Sequence, residues 1–193
     1  MSDAAGGSSV TDDDLHRVLD EDGRVVAGAT VPDLDDETLV GMYRDMLLTR
    51  HFDTRTVNIQ RQGRLGTFAA AAGQEGAQIG STYALAPDDW IHYQYREHGV
   101  LAVRGLDAGY LRYWMGHEAG NAAVAERNVF PLNITIGDHI PHAVGMAWAM
   151  KLRGDDDCVL VHFGDGATSE GDFHEACNFA GVFDVPCVFL CNN

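Results

Sequence analysis

The sequence predicts an α/β fold in which a parallel sheet is flanked by helices. Three features carry this reading. Residues 158–163 and 185–191 are short, mostly apolar runs, the mark of parallel strands buried on both faces. Residues 170–179 lie between them and read as a helix, giving a strand–helix–strand unit for which a right-handed crossover is expected. Upstream, Pro141 opens a small-residue helix running through Ala143, Gly145, Ala147 and Ala149 to Lys151, and Gly154 ends it. Pro186 sits near the start of the second strand, where a missing donor is tolerated.

Residues 1–35 are expected to form an acidic, weakly ordered segment ahead of a domain formed by residues 36–193. The segment holds Gly6-Gly7-Ser8-Ser9, Asp12-Asp13-Asp14 and one hairpin candidate. In that hairpin Val18-Leu19 lead into Asp20-Glu21-Asp22-Gly23, and Val25-Val26 follow; an Asp-Gly turn between apolar pairs is the signal. A long helix comes next. Asp35 or Asp36 can cap it and Glu37 suits its positive end. Leu39, Met42, Tyr43, Met46 and Leu47 recur at helical spacing, and Gly63 is the expected stop. Shorter helices are expected over residues 74–84 and 108–115, the latter capped by Asp107. Residues 128–136 carry no clear pattern.

The bulk composition excludes several functions. Twenty-nine acidic residues face 13 basic ones, a formal net charge of −16, and Lys151 is the only lysine. Nucleic acid and anionic membranes are bound through Lys and Arg neutralising phosphate, so neither is an expected partner. The acid excess reads either as an acidic docking surface or as a surface adapted to high salt. Dispersed Asp and scarce Lys favour the second, since repulsion is screened within roughly 3 Å at molar ionic strength. No run of about 18 apolar residues suggests a membrane span. The start of the chain has neither a basic nor an apolar signal region. Cys158, Cys177, Cys187 and Cys191 form no Cys-x-x-Cys pair and are expected to be buried structural thiols of a reducing, cytoplasmic compartment.

Gly164-Asp165-Gly166 follows the first strand, and Asn192-Asn193 ends the second. In a parallel unit both carboxyl ends meet at one edge, where open α/β sheets bind ligands. An Asp carboxylate and an Asn carbonyl there suit Mg²⁺, which takes few protein oxygens and completes its octahedron with phosphate and water. The glycines let backbone approach a phosphate, and the next helix aims its N-terminus at the same place, which favours a diphosphate. Gly-Asp-Gly alone is more often an ordinary turn; its placement between a buried strand and a helix, with Asn-Asn one crossover later, makes it informative.

This pattern resembles the signature of thiamin-diphosphate enzymes. The run from Ala167-Thr168-Ser169-Glu170-Gly171 to Asp172-Phe173-His174-Glu175-Ala176 is similar to the alpha subunit of the decarboxylating component of 2-oxoacid dehydrogenase complexes. So are Gln60-Arg61-Gln62-Gly63-Arg64-Leu65-Gly66, Gly73-Gln74-Glu75 and Tyr95-Arg96-Glu97-His98-Gly99. The resemblance runs from about Val18 to the end. It implies a thiamin-diphosphate-binding fold, incomplete at the C-terminus because such subunits run on well beyond this point, and so a fragment or a remnant.

The resemblance also implies roles. Tyr95 and Arg96 would contact the cofactor diphosphate, and Arg is suited to bidentate phosphate bonds. Ile134 and Ile136 fall where relatives hold the aminopyrimidine by backbone groups, although their side chains alone would read as plain core. Asp138-His139 stands where the family has Thr-Gln, which puts any role of that pair in doubt. Gly164, Asp165 and Gly166 would hold Mg²⁺ and diphosphate, with Ala167 adding a backbone donor. The metal ligands would be Asp165 and an Asn. The family reads Cys-x-Asn-Asn with the second Asn as ligand, so either Asn193 is that ligand or the residue after it is, the latter being favoured. His98 is the histidine the resemblance brings nearest the cofactor and the one catalytic candidate. His174 and the tryptophans Trp90, Trp114 and Trp148 read as structural.

The implied activity is oxidative decarboxylation of pyruvate or a branched-chain 2-oxo acid, with the acyl group passed to a lipoyl group on an acyltransferase component. A beta subunit would complete the site in an α₂β₂ assembly. The sequence does not separate the two substrates. A truncated non-catalytic chain or assembly partner is the alternative. A Mg²⁺-dependent phosphotransferase with Asp165 as nucleophile is a third class, disfavoured because Ala167 stands where a second Asp would be needed. A sheet without its later strands is expected to expose an apolar edge and to aggregate.

Overall fold

A computed structural model describes residues 16–193 except Leu106 and Ala125. Gly6-Gly7-Ser8-Ser9 and Asp12-Asp13-Asp14 lie outside the described residues. Two compact units are present, one ending at Leu39 and the other spanning Val40–Asn193.

The first unit carries the hairpin. Leu19 and Val25 form an antiparallel bridge, Val26 N–H donates to the Val18 carbonyl at 3.0 Å, and Gly23 takes a φ of 76° in the turn. Asp20 Oδ1 accepts from Asp22 N and Arg24 N, at 3.0 and 2.8 Å, so the turn is fixed by its own acid. Asp35 then caps α1, Asp36–Arg61, by accepting from Thr38 N at 2.7 Å. The helix ends at Gly63, whose φ of 71° no continuing helix adopts.

The predicted apolar stripe of α1 is only in part its buried face: Met42 and Met46 are half-buried, and Phe52 and Ile59 further on pack against a core. Leu39, Val40, Tyr43, Leu47 and Leu48 are exposed, whereas Thr49, Asp53 and Thr56 are buried. The polar face is tolerated because its groups are satisfied. The two threonine hydroxyls donate to carbonyls one turn back, and Asp53 Oδ1 accepts from Ala71 N at 2.7 Å.

The second unit continues with α2 (Glu75–Tyr83), β1 (Trp90–His92), α3 (Gly99–Arg104) and a 3₁₀ turn, Ala108–Tyr110, that runs into α4 (Leu111–Trp114). Asp107 caps that turn, accepting from Gly109 N at 2.7 Å. A second 3₁₀ turn, Glu118–Val124, precedes α5 (His139–Arg153), β2 (Val159–Gly164), α6 (Gly171–Phe183) and β3 (Cys187–Asn192). The strands form a parallel sheet in the order β1-β2-β3, with Ile91 opposite Leu160 and Leu160 opposite Val188. β1 and α3 are additions to the sequence reading. Residues 128–136 form no regular element, yet Val129 and Asn133 bridge to Ile91 and Gln94, laying the segment along β1.

The central strand β2 is buried along Val159–Phe163. β3 is not the fully buried strand expected: Val188 is half exposed, because β3 pairs with β2 alone and lies at the sheet edge. The thiols depart from expectation for related reasons. Cys158, Cys177 and Cys187 are half-buried and Cys191 is exposed, all of them free. Burial still pushes the Cys187 thiol up to about 12.

One core packs α5 and α6 against β2 through Ile140, Val144, Met150, Phe163 and Ala176. The other gathers Ile91, Tyr93, Leu101, Tyr110 and Trp114 around β1, α3 and α4. The single lysine joins α5 to α6: Lys151 Nζ donates to the carbonyls of Phe183 and Asp184 at 2.8 and 2.6 Å. It thereby satisfies carbonyls at the negative end of α6. Among the described residues no helix is long and apolar enough to cross a membrane.

Candidate functional site

Parallel pairing puts the carboxyl ends of all three strands at one edge, and a cleft of ≈ 370 Å³ opens there. Gln94, Tyr95, Arg96 and Glu97 reach it from the loop after β1. Gly164–Ala167 reach it from the turn after β2, Asn192 and Asn193 from the end of β3, and Gln74 and Ile136 from flanking loops.

The turn after β2 is a 3₁₀ helix, Asp165–Ser169, so α6 begins at Gly171, one residue later than expected. Thr168 Oγ1 donates to the Asp165 carbonyl at 2.7 Å and closes the turn. Asp165 and Gly166 are exposed at its mouth, while Ala167 is fully buried beneath it. A Cβ on Gly166 would meet no atom within 4 Å. The glycine is therefore not required by the protein's own packing; its bareness leaves the backbone open to an approaching group.

Tyr95 and Arg96 lie on a tight turn. Arg96 Nη1 donates to the Ala70 carbonyl at 2.6 Å, and the guanidinium lies 5.8 Å from the Tyr95 ring centre. The carboxylate of Glu97 closes that turn: Oε2 accepts from Gln94 N at 3.0 Å, as the acid of a capping box does. Oε1 accepts from Asn192 Nδ2 at 3.2 Å. Burial pushes the Glu97 carboxyl above its ordinary range.

Gln94 supports the segment carrying Ile134 and Ile136. Its amide donates to the Thr135 carbonyl at 3.0 Å and lies 3.3 Å from His139 Nδ1. His139 Nε2 stands 2.8 Å from the His162 carbonyl. A proton on Nε2, with Nδ1 accepting from Gln94, satisfies every atom of this chain. The Asp138-His139 departure therefore has a local account: His139 ties Gln94 to β2, and Asp138 Oδ1 accepts from Asn133 Nδ2 at 2.9 Å.

The cleft thus gathers Tyr95, Arg96, Ile136, Gly164, Asp165, Gly166, Ala167 and Asn193. It does not gather Ile134 or His98. Ile134 lines a smaller apolar hollow with Thr67, Ala69, Tyr95 and Trp114. Ile134 and Ile136 are both exposed rather than core, because the loop stands clear of the sheet. His98 is buried outside the cleft, stacked on Phe68 at 4.6 Å, with its nitrogens against Tyr110 Oη and the Ala69 carbonyl. Burial pushes it down to about 4, and its neighbours there are Phe68, Tyr110 and Ala69 rather than the lining of the cleft. Gln94 and Glu97 were missed as site residues. The sequence carried no local signal for them, since β1, the strand they follow, was itself not read.

A family described as Dehydrogenase E1 component matches residues 43–193. The chain belongs to the dehydrogenase E1 component family. Among curated relatives, the E1 chain is 44% identical over 162 residues to the 3-methyl-2-oxobutanoate dehydrogenase subunit alpha of Mycobacterium tuberculosis, covering 83% of this chain and 44% of that protein. It is 38% identical to the mitochondrial 2-oxoisovalerate dehydrogenase subunit alpha 2 of Arabidopsis thaliana, covering 92% of this chain and 40% of the relative. It is 39% identical to the pyruvate dehydrogenase E1 component subunit alpha of Staphylococcus aureus, covering 93% and 49%. All three relatives are alpha subunits, and this E1 chain spans half or less of the length of each.

Proposed function

We propose that the chain is an alpha-subunit portion of a thiamin-diphosphate-dependent 2-oxoacid dehydrogenase. In this reading it acts on pyruvate or branched-chain 2-oxo acids in the cytoplasm, with a beta subunit and a lipoyl-bearing acyltransferase as partners. The observation that carries the proposal is the meeting of Arg96, Asp165 and Asn193 at the carboxyl edge of a parallel sheet in a chain of the E1 family. The donor set fits a magnesium diphosphate. It offers an exposed carboxylate, a guanidinium, an amide and a glycine-bare backbone, with few protein oxygens crowding the cation position.

When bound, thiamin diphosphate supplies the carbanion and the electron sink for loss of carbon dioxide. The chain's part is to hold it. Asp165 and an amide just past β3, that of Asn193 or of the residue after it, would share Mg²⁺, the turn Asp165–Ser169 would turn backbone N–H groups to the diphosphate, and Arg96 would neutralise its charge. Ile136 sets an apolar surface in the cleft, and the Gln94–His139 chain fixes the loop that carries it. No side chain of the cleft needs to act as a nucleophile.

The test is calorimetric titration of thiamin diphosphate and Mg²⁺ into the chain, with and without a cognate beta subunit. Saturable binding should need the beta subunit, and Asp165→Ala should weaken it at least a hundredfold, as expected when a charged group loses its partner. Absence of binding in every mixture would replace this reading with that of a non-catalytic chain retaining the family's fold.

A further inference from the structure

Glu97 joins the loop after β1 to the end of β3. It is 3% exposed, and each carboxylate oxygen has its own donor: the backbone N–H of Gln94 and the side-chain amide of Asn192. The first bond closes the turn carrying Tyr95 and Arg96; the second ends on the residue before Asn193. We infer that Glu97 is a positioning residue, a latch that locks the Tyr95–Arg96 turn to the end of β3 and so fixes the spacing of the two sides of the cleft. This rests on the cofactor reading above and goes beyond it in assigning Asn192. Its amide is committed to a protein carboxylate and not to the cation.

The chemistry of the latch is asymmetric, and that makes it testable. Both partners of Glu97 are donors. A glutamine there has only one acceptor oxygen, kept by Gln94 N–H, so the Asn192 amide must turn over to offer Oδ1 to its NH₂, and both bonds lose their charged acceptor. Asn192→Asp alone would set two carboxylates against each other. The two changes together restore complementarity: the glutamine oxygen accepts from Gln94 N, and its NH₂ donates to the new carboxylate. A residue serving only as packing would not respond to such an exchange of polarity, and an Asn192 that bound the cation itself would tolerate Asn192→Asp without help from position 97.

The experiment uses the full chain co-expressed with its beta partner. The readouts are the Kd for Mg²⁺–thiamin diphosphate by calorimetry and amide hydrogen exchange of residues 187–193 without cofactor. Glu97→Gln should raise Kd up to about tenfold, as two bonds to a charged acceptor become neutral ones, and should speed exchange at the end of β3. Asn192→Asp should do at least as much. The double variant should return to within about threefold of the unaltered chain. Unchanged Kd and exchange in Asn192→Asp, or a double variant as impaired as the two singles combined, overturns the latch. If the unaltered chain binds no cofactor, the cofactor reading fails, while exchange alone still supports the latch through recovery in the double variant or refutes it through none. Should Glu97→Gln not fold, Asn192→Ala, which keeps the Glu97–Gln94 bond, is read by exchange: faster exchange over residues 187–193 supports the latch, and unaltered exchange removes it.

Discussion

Three histidines make the fold sensitive to acid in a way that can be worked out from their burial. His92, His98 and His162 are at most 3% exposed, and burial pushes them from 6.5 down to about 3, 4 and 4. Two have an unpartnered nitrogen, Nδ1 of His92 and of His162, so nothing inside the protein awaits a proton there. His139 lies beside both and adds repulsion once any of them is charged. In the unfolded chain these groups take up protons as pH falls through 6.5, whereas in the folded chain they do not until about 4. The unfolded state therefore binds more protons throughout that window. Stability is complete above pH 6.5 and declines as pH falls towards the folded values.

At pH 5 each histidine should cost about 2 kcal/mol, from RT ln(1 + 10^1.5), and the three together about 6 kcal/mol. That is comparable with the whole stability of an ordinary domain, about 5–15 kcal/mol. Urea unfolding at pH 7.5 and pH 5.0 measures the loss directly. His162→Leu, close in volume and free of a titrating group, should keep about 2 kcal/mol more than the unaltered chain on going from the higher pH to the lower, whatever its stability at pH 7.5. Equal stability of the unaltered chain at the two pH values would refute the argument. So would a variant whose loss runs parallel to it.

Two further outcomes follow from particular contacts. At Gly99 an added Cβ would lie 2.7 Å from Gln78 Oε1, the atom that accepts from Gly99 N–H, and Gln78 is fully buried. Gly99→Ala should cost about 1–3 kcal/mol and lower Tm by roughly 3–8 °C in calorimetry, and an unshifted Tm would show that Gln78 yields without loss. The charge of −16 with one lysine should make thermal stability rise between dilute buffer and molar salt; a Tm that does not increase would remove the high-salt reading of the surface.

The elements legible in the sequence are those whose signals are local. Asp35 and Gly63 mark the ends of α1 because a cap and a positive φ are properties of single residues. β2 was legible because a strand buried on both faces must be apolar throughout. The buried face of α1 was not legible. Thr49, Asp53 and Thr56 are admitted to the interior by bonds to their own helix and to Ala71, while Leu39, Tyr43 and Leu47 of the apolar stripe are left outside. β1 was missed because three residues beside Asp88 and Asp89 carry no pattern; they become a strand by pairing with β2. α3 was hidden by β-branched residues in Gly99–Arg104, whose propensity is overridden by packing into the second core.

The site divides in the same way. Gly164-Asp165-Gly166 and Asn192-Asn193 could be placed at one edge from sequence, because parallel strands share a direction and the motifs sit at strand ends. What keeps the two sides of that edge in register could not be placed. Glu97 and Asn192 are 95 positions apart, and no periodicity links a loop acid to the far end of another strand. His98 and Glu97 make the contrast within one motif. Adjacent in the chain, one turns into the aromatic core and loses its basicity, and the other turns to the cleft edge and keeps two donors. A tight turn sends neighbouring side chains to opposite environments, so membership in a motif places a residue near a site without saying which way it faces. In this chain the orientation is decided by which partner can satisfy the side chain. The Ala69 carbonyl and the Tyr110 hydroxyl receive the histidine; the Gln94 backbone N–H and the Asn192 side-chain amide offer donors to the acid.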